Sequence, residues 1–422
     1  MTTAPEGSIE ATPLVVRTVP VDDPGRLLAL LPPEDTVAWV RRGDGLVGWG
    51  TAAAIRTKGA ERFADARGWW TEMSQAAVVR DEVKQPGTGL VSFGSFAFAD
   101  EPGDSVLVVP EVVVGRRGDI TWVTTIGLAG ISTPPVLEPT DPPAAPTGVT
   151  FVDGALSGTD WESVVAEAVR RINDGDLEKV VLARDLVAAA DEDIDLRWPL
   201  QRLAETYPMC WTFHVDGLFG ATPEMLVRRE RGLVTSRVLA GTIRRTGDDA
   251  RDLALAATLA RSSKDLEEHE YAVRSVAEAL APHCTSMNVP ESPFVLHLPN
   301  VMHLATDVAG VANDSGDESA GSLELAEALH PSAAVGGTPT EVAKQVITEI
   351  ESMDRGRYAG PVGWMDAAGD GEWGIALRSA EVDGRTVRLF AGCGIVASSD
   401  PEAELAEAQA KFVPVRDAVS GA

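Results

Sequence analysis

The chain has 422 residues, 44% of them apolar and 24% charged, a composition that supports a sizeable globular core. Its 64 acidic against 36 basic side chains leave a formal charge of −28, which argues against nucleic acid or an anionic membrane as partner, since both demand clustered Lys and Arg. Three widely spaced cysteines, no apolar run of 18 residues and no basic-then-apolar leader point to a cytoplasmic protein without disulfides, a zinc site or a membrane span.

Residues 1–12 read as a disordered tail. From 13 to about 130, strand-like runs ("TVAWV", "GLVGWG", "SVLVVPEVVV", "ITWVTTIG") surround one helical region near 60–77. The stretch 132–148, with six prolines, forms neither helix nor central strand. It closes an N-terminal part, 13–150, ahead of a more legible region, 151–418. There "TDWESVVAEAVRRINDGD" carries helical apolar spacing behind a capping box of Thr159 and Glu162, and "EKVVLARDLVAAA" follows as a strand. A helix at 195–206, strands from Cys210 to Arg245, helices over 248–281 and strands over 294–311 come next. Helices at 322–329 and 339–352 follow, the second with Thr338 as its cap and Pro339 in its first turn. Three antiparallel strands are expected across 357–398, then a final helix from "SDPEAELAEAQAKF". Strands grouped in meanders with helices between the groups indicate an α+β fold rather than a doubly wound parallel sheet.

Several residues in this framework carry possible chemistry. "SSKDLEEHE" (262–270) opens a helix, and its acids serve either as a capping box, Asp265 with Glu268, or as metal ligands. Lys179 opens its strand on the same face as Val181 and Ala183, as an exposed edge charge or, if desolvated, a base. Glu224 follows a Gly-Ala-Thr-Pro turn, either as a solvated carboxylate or as a proton donor whose pKa is raised by burial. Glu404, Glu407 and Lys411 share one face of the last helix, either as a solvated i,i+4 pair or as two metal-directed carboxylates with a cation one turn on. Glycines interrupt "LAGT", "AVGGTP" and "AGCGI", where backbone can approach a ligand closely, although no Walker or dinucleotide signature is present. Arg378, late in an apolar strand, needs an anionic partner such as a carboxylate.

Taken in order, "KVVLAR", "TPEMLV", "LAGT", "SKDLEEHEYAV", "HPSAAVGGTP", "RYAGPVGW", "ALRSA", "AGCGIV" and "AELAEAQAK" resemble the motifs of chorismate-utilising enzymes, in particular isochorismate synthases, over residues 155–415. The resemblance implies a single large domain of packed central β-sheets surrounded by helices, with the proline-rich stretch as a surface connection. It implies Mg²⁺ bound by Glu268 and Glu407, with Asp265 and Glu404 flanking. Lys179 is implied as the base that activates water for addition at C2 of chorismate and Glu224 as the acid that protonates the departing C4 hydroxyl, for menaquinone or siderophore synthesis. Tyr358, Arg378, Lys411, Gly392 and Gly394 match positions that hold the pyruvyl carboxylate. His303, Gly241, Thr242 and Ala334 match other substrate-binding positions.

Departures inside the family narrow the expectation. Anthranilate-forming relatives carry glutamine where Lys179 stands and use a glutaminase partner, so no such subunit is expected. Aminodeoxychorismate-forming relatives carry lysine at the position of Ala240. Salicylate synthases tend to carry threonine where this chain has Ala334, so the reaction is expected to stop at isochorismate. A salicylate synthase and a catalytically silent chorismate-binding paralogue are the alternatives. The protein is expected to be a monomer.

Overall fold

The computed structural model describes residues 13–128, 135–297, 301–313 and 320–421. The side chains of Thr242, Lys264 and Glu268 lie outside that description, as do residues 1–12 and 132–134.

Two large sheets, nearly all antiparallel, form the centre. One has thirteen strands and runs from Thr150–Asp153 through Lys179–Ala189, Thr386–Ile395 and Ser379–Asp383 to the N-terminal strands. The other has ten and runs from Cys284–Asn288 through Val301–Ala312, Leu233–Arg244 and Met225–Glu230 to Ala53–Thr57. The first 128 residues contribute to both: Thr36–Arg41 pairs with Trp211–Val215, and Val91–Ser95 pairs with Pro361–Asp366. This interleaving makes the chain one α+β domain, because neither half has a closed sheet of its own.

The proline-rich connection crosses the surface without regular structure from 135 to 148. Thr140 ties it down by hydrogen bonds to the carbonyls of Ala29 and Leu31, while Arg197 reaches it from the helix Arg197–Thr206.

Helix starts differ from the sequence reading in three places. Helix Gly158–Asn173 is capped by Ser157, whose hydroxyl accepts from the Asp160 amide, so Thr159 lies inside the helix. Helix Ser263–Leu280 is capped by Ser262, whose hydroxyl accepts from the Asp265 amide at 3.3 Å. Asp265 is thus the third helical residue rather than the cap. Helix Thr340–Ile350 begins after Pro339, because Thr338 is held in a two-residue strand against Lys179. In each case a Ser, Thr or Asp near the start fits more than one local pattern, and only the incoming chain direction selects among them.

The 357–398 region contains four strands, not three, and it changes sheet halfway. Pro361–Asp366 and Gly371–Ile375 belong to the ten-stranded sheet; Ser379–Asp383 and Thr386–Ile395 belong to the thirteen-stranded one. The crossover is Ala376–Arg378, and Arg378 sits at φ +49°, in the left-handed region that a non-glycine residue occupies only under constraint. Glu224 lies on the parallel case of the same change, between Leu218–Thr222 in one sheet and Met225–Glu230 in the other.

Candidate active site

A cavity of about 470 Å³ opens where the two sheets and two helices converge. Thirteen of the fifteen residues singled out from the sequence line it: Lys179, Glu224, Gly241, Asp265, His303, Ala334, Tyr358, Arg378, Gly392, Gly394, Glu404, Glu407 and Lys411. The side chains of the other two, Thr242 and Glu268, lie outside the described residues.

One wall is the strand pair Lys179–Ala189 and Thr386–Ile395, with Val181 opposite Gly394 and Ala183 opposite Gly392. Both glycines leave room for a neighbouring side chain. A Cβ on Gly394 would lie 2.9 Å from Cε of Lys179, and one on Gly392 would lie 3.2 Å from the Tyr358 hydroxyl. Tyr358 is buried and stacked on Phe390 at 5.1 Å, which fixes its ring, and burial raises its pKa.

The facing wall comes from the ten-stranded sheet. A bulge between Ala240 and Thr242 puts Gly241 at φ +75°, and a Cβ there would press on Asp265 at 3.2 Å. Asp265 therefore reaches the cavity because a glycine lets its helix approach the strand. The rotation of that helix is set by His269, one turn on and buried, whose Nε2 shares a 2.8 Å hydrogen bond with Thr306 Oγ1. The histidine of "SSKDLEEHE" anchors the helix to the sheet. His303 is also buried, and burial, with help from Arg378 and Lys411, lowers its pKa to about 4. Its imidazole is neutral at ordinary pH.

Glu224 is 8% exposed, not solvated. Burial raises its pKa to about 7, against the opposing pull of Arg378, Lys179 and Lys411. Desolvation outweighs three nearby cations. The result is a carboxyl group that carries a proton over part of the neutral range, inside a cavity that also contains a lysine amine.

The last helix, Pro401–Val419, supplies the acidic end. Lys411 Nζ contacts Glu407 Oε1 at 2.7 Å and donates to the Gly392 carbonyl at 2.8 Å, so the i,i+4 pair read from the sequence does form, but facing the cavity. Burial pushes Glu407 up, yet Lys411, Arg378 and Arg244 outweigh it and hold its carboxyl below the ordinary range. Burial raises Glu404, whose carboxylate accepts from Ser399 Oγ at 2.8 Å. Carboxylate oxygens of Glu404 and Glu407 and the Cys393 sulfur lie within 4.8 Å of one another. With Asp265 in the same cavity, the oxygen donors fit a hard divalent cation; the buried thiol, which donates to the Glu404 carbonyl, does not suit Mg²⁺.

Among the cavity residues that escaped the sequence reading are Ser399, which orients Glu404, and Arg355, buried at 2% exposure. Ser399 lies just before the Asp400 cap and reads as helix-start polarity. Arg355, in "ESMDRGRY", looks like surface charge.

Comparison with known proteins assigns the chain and its fold to one family. The profile described as "Chorismate binding enzyme" matches residues 19–132 and 138–420. The isochorismate synthase DhbC of Bacillus subtilis is 42% identical over 264 residues, 60% of this chain and 66% of that protein. Two solved structures align over nearly the whole length. The putative 2,3-dihydroxybenzoate-specific isochorismate synthase DhbC from Bacillus anthracis has a TM-score of 0.76 at 32% identity, covering 93% of this chain and 98% of that one. The menaquinone-specific isochorismate synthase MenF from Escherichia coli has 0.79 at 25%, covering 98% and 96%. The chain belongs to the chorismate-binding enzyme family.

Proposed function

We propose that this chain is an isochorismate synthase, a monomer that converts chorismate to isochorismate reversibly and without a glutaminase subunit. The observation that carries the reading is the pairing, in one cavity, of the Lys179 amine with a buried Glu224 whose pKa stands near 7. It is supported by the relatives, which are named for that activity.

The reaction breaks one C–O bond and makes another. Water adds at ring carbon C2, the two ring double bonds shift, and the C4 hydroxyl departs. Lys179 takes a proton from the incoming water. Glu224 gives its proton to the leaving oxygen, so that water rather than hydroxide is expelled. The substrate is a dianion entering a protein of charge −28, and local cations answer that charge. Arg378 and Lys411 hold the pyruvyl carboxylate, with Tyr358 and the backbone of Gly392 and Gly394 completing the cradle. Neutral His303 and Gly241 line the ring's surroundings, and Thr242 is read from the family motif as a further substrate-binding residue. Glu268 and Glu407, with Asp265 and Glu404 beside them, would hold Mg²⁺, which when bound would offset the charge of the ring carboxylate.

Ala334 offers no hydroxyl to assist a later loss of pyruvate, so the product is isochorismate rather than salicylate. The isomers contain the same kinds of bonds, with the hydroxyl and the ring diene placed differently, and the reaction stops at a mixture. The test is chromatography of protein incubated with Mg²⁺ and either isomer. The same ratio should be reached from both sides, and added ammonium should give no anthranilate. Salicylate with equimolar pyruvate as the first product would establish a lyase instead. No turnover at all would establish a silent binding protein.

A further inference from the structure

Strand Lys179–Ala189 pairs along one edge with Thr386–Ile395, but its other edge has a gap. Gly337–Thr338 reaches only Lys179 and Val180, and Thr150–Asp153 starts only at Leu186. Backbone groups in that gap are buried and need partners. The Val181 amide donates to the Gly336 carbonyl at 2.8 Å. The Val181 carbonyl accepts from Arg355 Nη2 at 2.7 Å, and the Ala183 amide donates to Glu351 Oε2 at 3.1 Å. The Ala183 carbonyl accepts from Trp161 Nε1 at 3.1 Å. Side chains here occupy the place of a neighbouring strand.

Arg355 and Glu351 close on each other through two bonds, Nε to Oε1 at 2.7 Å and Nη2 to Oε2 at 2.6 Å. The remaining arm of the fork, Nη1, donates to the Val335 carbonyl at 3.0 Å. Glu351 and Arg355 are 1% and 2% exposed, and the guanidinium lies 4.2 Å over the Phe98 ring. One ion pair therefore joins the strand that carries Lys179 to the loop that carries Ala334, beneath the cavity both residues line.

We infer that Glu351 and Arg355 are a positioning pair for the proposed reaction, setting where the Lys179 strand stands against the Ala334–Val335 wall. The inference rests on the reading of Lys179 as base. A buried ion pair is a weak source of stability, and an apolar replacement of similar volume commonly serves as well. What an apolar pair lacks is the set of directed bonds to Val181, Ala183 and Val335. Lysine also lacks them, since an ammonium is a point charge without the planar fork.

Three variants test this: Arg355→Lys, Glu351→Gln, and the charge-balanced double variant Glu351→Gln with Arg355→Met, which leaves no buried charge unpaired should a single variant fail to fold. Circular dichroism and Tm report the fold; kcat and KM for chorismate report function; hydrogen exchange reports the Val181 and Ala183 amides. In the double variant kcat should fall by roughly 10- to 100-fold, the scale of a displaced reacting group, with KM changed less, within about 3-fold, because the two cations that hold the carboxylate, Arg378 and Lys411, stand on other elements. The two amides should exchange faster, and Arg355→Lys should recover Tm without recovering kcat. A lowered Tm with wild-type kcat and a wild-type exchange pattern would overturn the inference and leave a purely structural pair. If the wild-type protein does not turn over chorismate, the functional reading falls by itself, and unchanged exchange at Ala183 would still refute the clamp.

Discussion

The side chain of Lys179 reaches diagonally over Gly394 of the adjacent strand, so closely that a methyl group on the glycine would lie 2.9 Å from Cε and 3.5 Å from Nζ of the lysine. The flexible end of Lys179 can yield, whereas the strand cannot. Gly394→Ala should therefore keep the fold and displace the amine. The expected result is a Tm within a few degrees of wild type and a kcat lowered about 10-fold or more, since misplacement of a reacting group alone carries costs of that order. A wild-type kcat would show that Nζ is not the reacting group.

Glu224 gives a pH signature. Its pKa is raised to about 7 by burial, so the protonated form needed of an acid is present below pH 7 and lost as pH rises through it. The profile of kcat/KM for chorismate should fall on the alkaline side with a midpoint near 7. Arg378 is the largest opposing influence, so Arg378→Gln should move that limb upward. Glu224→Gln should lower kcat by at least ~10²-fold and abolish the limb. A limb that persists unchanged in Glu224→Gln belongs to another group.

The acidic end of the cavity predicts metal dependence. EDTA should abolish turnover and excess Mg²⁺ restore it. Mg²⁺ alone should raise Tm by preferential binding to the folded state, an effect lost in Glu407→Gln and reduced in Glu404→Gln. Full activity in metal-free buffer, or an equal Tm rise in both Glu407→Gln and Glu404→Gln, would remove both residues from a metal site.

Arg378 occupies a left-handed backbone conformation at the point where the chain changes sheets. Two substitutions separate its backbone role from its guanidinium. Arg378→Gly relieves the strain and removes the charge; Arg378→Lys keeps the charge and removes the bidentate fork. If the fork holds the pyruvyl carboxylate, Arg378→Lys should raise KM about 10-fold or more, a loss of roughly 1.4 kcal/mol or more, within the range of charge-assisted bonds. A wild-type KM in Arg378→Lys would place the carboxylate elsewhere.

The sequence by itself determined most elements and most of the residues brought to the cavity, because both leave local traces. Apolar periodicity marks "DWESVVAEAVRRI" as helix and "KVVLARDLVAA" as strand, and the spacing of Glu404, Glu407 and Lys411 puts them on one helix face whatever the fold. Local patterns were ambiguous where a polar residue could cap in several frames, as with Ser157 against Thr159 and Ser262 against Asp265. They were silent wherever the deciding partner is distant in the chain. Nothing near Glu224 says that it is buried, since the apolar surroundings that raise its pKa come with the packing of two sheets. Nothing in "ESMDRGRY" says that Arg355 fills a gap beside a strand more than 170 residues earlier. Residue type and spacing are properties of the chain, but desolvation and backbone satisfaction are properties of what the folded chain encloses, and those were decided only by the tertiary structure.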